Sequence, residues 1–138
     1  MESSEDIAEG VVAMLNGLTT SIAFTAEVPL LVPVVDRMVD SATVQVYPFE
    51  ETETPGDRAD MFSATRVVQM LVQAPMSQTI TRKTYLTWLN ELKEGFRELV
   101  VSGWRFGGTE TVSLYDFDAM KEKQQFMSLL KVTFFTFN

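Results

Sequence analysis

The chain opens on a helical rhythm. Ile7, Val11, Met14, Leu15 and Leu18 recur at three- and four-residue intervals, which places them on one face of a helix. Ser3 or Ser4 can cap its start, and Glu5, Asp6 and Glu9 suit the positive end of its dipole. Asn16-Gly17 supplies a stop, so the pattern predicts a helix over 4–16. Residues 24–31 read as extended, but Pro29 and Pro33 exclude a central strand. This stretch is therefore expected to be an edge strand followed by an irregular crossing segment up to residue 40.

A period of two takes over at 42–49. Val44 and Val46 point one way; Thr43, Gln45 and Tyr47 point the other. Residues 50–60, EETETPGDRAD, carry five acids and no large apolar side chain, so they predict a long exposed acidic loop. Alternation resumes over 64–74, with Val68, Met70 and Val72 on one face and Val67, Gln69, Leu71 and Gln73 on the other. The two alternating runs form a hairpin with the acidic loop at its tip. That loop is longer than hairpin loops usually are, and such length commonly serves a function.

Tyr85, Trp88, Leu89, Leu92, Phe96, Leu99 and Val100 form the apolar stripe of a second helix, expected over 81–102 with Gly103 at its end. A strand over 104–113 follows, in which Gly107-Gly108 predicts a bulge or a close backbone approach. A polar connection with Asp116, Asp118 and Lys121 leads to a last strand over 125–137. The fold class is therefore α+β: one domain spanning 1–138, built on a mainly antiparallel sheet of four or five strands with two helices on one face.

The last strand is apolar on both faces. Phe126, Leu130, Val132 and Phe134 line one; Met127, Leu129, Phe135 and Phe137 line the other, broken by Lys131 and Thr133. Two helices cover only one face of a sheet. The second stripe is expected to meet either another copy of the chain or the crossing segment 22–40.

Composition removes several chemistries. The sequence has no cysteine and no histidine, so disulfides, thiol nucleophiles, zinc ribbons and imidazole bases are out. No apolar run approaches the length of a membrane-spanning helix, and Met1–Asp6 is acidic where a secretion signal would be basic. The acids of 50–60 do not keep the alternating spacing of a calcium loop. Asp116 and Asp118 form no acid–base pair at a fixed spacing, and Arg105-Phe106-Gly107-Gly108 lacks the lysine and helix of a phosphate loop. The expectation is a protein that is not an enzyme and has no catalytic residue, cofactor or metal. The net charge is −8, and residues 1–60 carry 12 acids against 2 bases. Such a surface does not hold nucleic acid tightly.

The order of elements resembles the small neck proteins of tailed bacteriophages: the tail terminator, tail completion or head-to-tail joining group of lambda-like type. The residues that carry the likeness are DIAEGVVAMLN at 6–16, FTAEVPLLVPVVDRMVDSATVQVYP at 24–48 and QQFMSLLKVTFFTF at 124–137. The resemblance spans nearly the whole chain but contains no catalytic motif. The apolar 67–72 strand and the acidic stretch at 50–60 depart from the pattern of many relatives. It implies a structural virion protein of the tail or neck, made in the host cytoplasm, that assembles as a ring, commonly a hexamer. The ring ends the tail tube and joins it to the head connector, and DNA passes through without sequence-specific binding. Its partners would be further copies of itself, the tube protein and the connector, with no membrane.

On that reading Met127, Leu129, Phe135 and Phe137 lie between subunits. Glu50, Glu51, Glu53, Asp57 and Arg58 lie on a loop that meets a neighbour or the tail. The rival reading is a stand-alone α+β domain that binds a small ligand or regulates a partner, with Tyr85 and Trp88 on the wall of an apolar pocket.

Overall fold

The computed structural model describes residues 3–29, 41–55, 62–76, 80–99, 104–114, 120 and 124–137. Asp57, Arg58, Val100, Asp116, Asp118 and Lys121 lie outside them, as do most of the crossing segment and the side chain of Phe137.

The first helix, α1, runs Ser4–Asn16 as its pattern predicts. Ser3 and Asp6 close a capping box: Asp6 N–H donates to Ser3 Oγ, and Ser3 N–H donates back to the Asp6 carboxylate. Five strands form one sheet: β1 (Phe24–Glu27), β2 (Ala42–Pro55), β3 (Phe62–Pro75), β4 (Arg105–Ser113) and β5 (Gln125–Phe137). Their order is β1-β2-β3-β5-β4. All neighbours are antiparallel except β1 and β2, which pair in parallel over four residues.

The second helix, α2, spans Arg82–Glu94 and gives way to a 3₁₀ turn over Gly95–Glu98. It is shorter than the stripe predicts, and Gly95 is the reason. A Cβ there would stand 2.8 Å from Leu18 Cδ1 and 3.0 Å from Met14 Sδ. The missing side chain lets the end of α1 press against the end of α2, and the backbone tightens at that point. Leu99 is already extended.

Both helices pack on the same sheet face. Ile7, Val11 and Leu15 of α1 and Tyr85, Trp88, Leu89 and Leu92 of α2 share one core with Val44, Val46, Val68, Met70, Val72, Leu130, Val132 and Phe134. Trp88 and Tyr85 pack on Phe126, the latter stacked at 4.7 Å. They are core residues rather than the wall of an open pocket.

The other face is less greasy than the sequence suggests. Gln45, Gln69, Gln73 and Gln125 are buried on it, interleaved with Leu71 and Met127. Gln45 donates to Gln73 at 3.3 Å, and the Tyr47 hydroxyl donates to Gln69 at 2.8 Å. Burial also pushes the Tyr47 phenol up from its ordinary pKa.

Candidate functional site

The expected acidic loop is, for most of its length, strand. β2 continues through Pro55, so Glu50, Glu51 and Glu53 sit on a regular ladder opposite Val67, Arg66 and Ala64. The 50–60 loop assignment is corrected accordingly. Two features extend the strand where composition argues against one. A bulge at Phe49, just after Pro48, slips the register by one residue, and the extra residue turns Glu51 and Glu53 to the helix side. There they meet Arg66.

Arg66 is buried, with only 4% of its side chain exposed. Its Nη2 lies 2.7 Å from Glu53 Oε1, its Nε lies 3.6 Å from Glu51 Oε1, and its Nη1 donates to the Thr65 carbonyl. The guanidinium also lies over the Trp104 ring, 5.0 Å from the centroid. Removing a cation from water is costly unless carboxylates and hydrogen bonds surround it, and β2 supplies both carboxylates from one edge. The fork of the guanidinium lets it face Glu53, Glu51 and the Thr65 carbonyl at once, which a lysine ammonium does less well.

Glu51 has a second task. Its Oε1 accepts from both Ser4 N–H at 2.8 Å and Ser4 Oγ at 2.5 Å. Ser4 is the first residue of α1, so the carboxylate also stands at the positive end of that helix. The hydroxyl and amide of Ser4, then the nearby Arg66 charge, hold the Glu51 carboxyl below its ordinary pKa. One carboxylate thus ties the start of α1 to the far half of the β2–β3 hairpin. The result is a stiff acidic arm, with Phe49, Glu50, Glu51, Thr52 and Glu53 all exposed along it.

The residues expected between subunits fall into distinct settings. Met127 is buried in a single copy at 7% exposure, so one chain already covers it. Leu129 and Phe135 are half-buried. Lys131, between them, lies 4.6 Å from the Phe49 ring centroid across the same face. Of that stripe the chain itself covers Met127, while Leu129 and Phe135 remain partly open.

Sequence reasoning missed Arg66 as the centre of the arm. A lone arginine in an apolar strand, a few residues from the acids at the expected hairpin tip, was the available signal. A shallow groove of about 280 Å³ also lies beside β4, lined by Lys93, Glu94, Arg97, Phe106, Gly108 and Thr109. Gly108 has φ +135°, which only glycine adopts without strain, and it marks the bulge expected at Gly107-Gly108. Among the described residues, no group of three or more acidic side chains is placed to hold a metal ion. No helix there is long and apolar enough to cross a membrane.

No family model matches the chain, and no curated protein does. Among solved structures the chain is similar to the PVC sheath/tube terminator of an extracellular contractile injection system, seen by cryo-electron microscopy in the extended state. The two are 16% identical with a TM-score of 0.49. The match covers 100% of this chain but only 57% of the terminator's length.

Proposed function

We propose that the chain is a structural, non-enzymatic subunit of a phage or phage-like tail. It assembles with copies of itself into a closed ring that ends the tail tube and meets the head connector, six copies being the size the sequence resemblance implies. The observation that carries this reading is the acidic arm. It is a strand pair tied to a buried arginine, with Glu50 exposed on the helix-free face and the Glu51 and Glu53 carboxylates about half-exposed. That construction suits docking against another protein surface. With the likeness to neck proteins at 6–16, 24–48 and 124–137, a tail-terminating role accounts for it best.

DNA would cross the ring without adhering. A subunit of net charge −8 makes a ring that is strongly anionic overall, and anionic walls repel phosphate. Leu129 and Phe135, half-buried in one copy, are the members of the expected interface set that a neighbour can still cover.

Electron microscopy of the purified protein, alone and mixed with its tube subunit, tests the reading. Annular particles, and tubes whose growth stops when the protein is added, are the expected result. A protein that forms no annuli and leaves tube length unchanged overturns it.

A further inference from the structure

Among the described residues, the sheet has two backbone edges without a partner, and they match each other. β1 covers β2 only at Ala42, Thr43, Val44 and Gln45, so no described strand lies beside β2 from Val46 onward. At the other side of the sheet, β5 is the one described strand that pairs with β4. Among the described residues, no backbone hydrogen bond leaves either edge over 46–53 or 105–112.

These edges lie at the same level. Following the ladders across, Thr52 aligns with Thr65, Phe135 and Arg105; Pro48 aligns with Val68, Val132 and Thr109; Val46 aligns with Met70, Leu130 and Thr111. The strands alternate in direction from β2 through β3 and β5 to β4, so β2 and β4 run opposite ways. Rotation about an axis parallel to the strands keeps those directions. It brings β4 of one copy antiparallel to β2 of the next with no vertical step, as a closed ring requires.

The two edges also carry complementary side chains. On the helix-free face the β2 edge presents Glu50, and β4 presents Arg105 at the level of Thr52. A diagonal contact of that kind is within reach of long side chains. On the helix side Glu51 stands at the level of Phe106, which lines the groove beside β4 where Arg97 is exposed, although Glu94 shares that groove. Each edge adds an exposed apolar residue: Phe49 at 48% on one, Val112 at 45% on the other.

We infer that copies of this chain join head to tail by strand pairing, β4 of one against the 46–53 edge of β2 of the next, with Arg105 set against the neighbour's Glu50. The inference rests on the ring reading above and specifies its contact. It accounts for the acidic arm as the acceptor of a neighbouring strand.

Charge exchange tests it. Glu50→Lys and Arg105→Glu, each checked for an unchanged fold by circular dichroism, are compared with the parent by light scattering and electron microscopy. Each single change should weaken association roughly five- to tenfold per interface. The two changes in one chain should restore it, because every contact is then reversed. Thr52→Cys with Arg105→Cys gives a second readout in a protein without native cysteine: oxidation should produce a ladder of covalently linked copies. A parent that forms rings while both single variants assemble normally and no ladder appears overturns the edge pairing and leaves the ring intact. A parent that stays monomeric at every concentration overturns the ring and the contact together.

Discussion

The side-chain amide of Asn16 takes the place of a strand for Ala26. Its Oδ1 accepts from Ala26 N–H at 2.8 Å, and its Nδ2 donates to the Ala26 carbonyl at 3.1 Å. β1 is a four-residue edge strand, and the last residue of α1 closes that edge at Ala26. A residue that reads as a helix stop also shields the sheet from unwanted pairing.

Replacing Asn16 with Ala should therefore cost about 1–3 kcal/mol, since two part-buried backbone groups lose their partner. Amide hydrogen exchange at Ala26 should accelerate relative to the core of β3. Asn16→Asp should not rescue the loss, because it sets a carboxylate oxygen against the Ala26 carbonyl. Exchange at Ala26 unchanged in Asn16→Ala would show that the amide contact contributes nothing.

The arm should respond asymmetrically to loss of its charges. In Arg66→Met the two carboxylates, each about half-exposed, turn to water, and the loss should be about 1–3 kcal/mol. In Glu51→Gln with Glu53→Gln the buried guanidinium loses its counter-charges, and the cost should be larger, about 3–5 kcal/mol. Urea melts of the two proteins give the comparison; equal losses would mean that water already screens the cation.

Acid should loosen the same corner. The Glu51 carboxyl titrates lower in the folded chain than in the unfolded one. Its contribution is thus fully present above the ordinary carboxylate pKa of about 4.3 and is lost as pH falls through the depressed folded value. Stability measured against pH should lose part of its acid-side slope in Glu51→Gln, and likewise in Ser4→Ala, which removes the hydroxyl donor. A slope identical to the parent's in both variants would place the acid response elsewhere.

Gly108 offers a test of backbone alone. Its φ is +135°, and a Cβ there would meet nothing within 4 Å. Gly108→Ala should cost about 1–3 kcal/mol from conformation with no steric part. Gly108→Ser should cost the same within error, since both add one Cβ into open space. A neutral Gly108→Ala in a urea melt would mean that the β4 bulge relaxes to a conformation open to any residue.

Much of this architecture is written in periodicity. The 4–16 helix, the 125–137 strand and the helical stripe through Trp88 and Leu92 follow from spacing, because each buries one continuous apolar face. What spacing does not contain is compensation at a distance. Residues 50–55 read as loop because a run of acids has no local reason to extend; the reason is Arg66, on the neighbouring strand. The second helix reads too long because its apolar stripe passes through Gly95 without pause, whereas the close approach of Met14 and Leu18 to Gly95, far away in sequence, is not visible in spacing. The helix-free face reads as bare because the pattern counts Met127 and Leu129 without the buried glutamines between which they lie. The parallel pairing of β1 is likewise set by the path of the chain rather than by the composition of four residues.

The central ladder has a consequence for synthesis. β3 lies between β2 and β5, and Ser63 pairs with Phe137, so the middle of the sheet stays unfinished until β5 has been synthesised. Pairings so distant along the chain form slowly, and an unpaired β3 is a sticky intermediate. A prematurely released polypeptide would lack β5 and with it the support for β4.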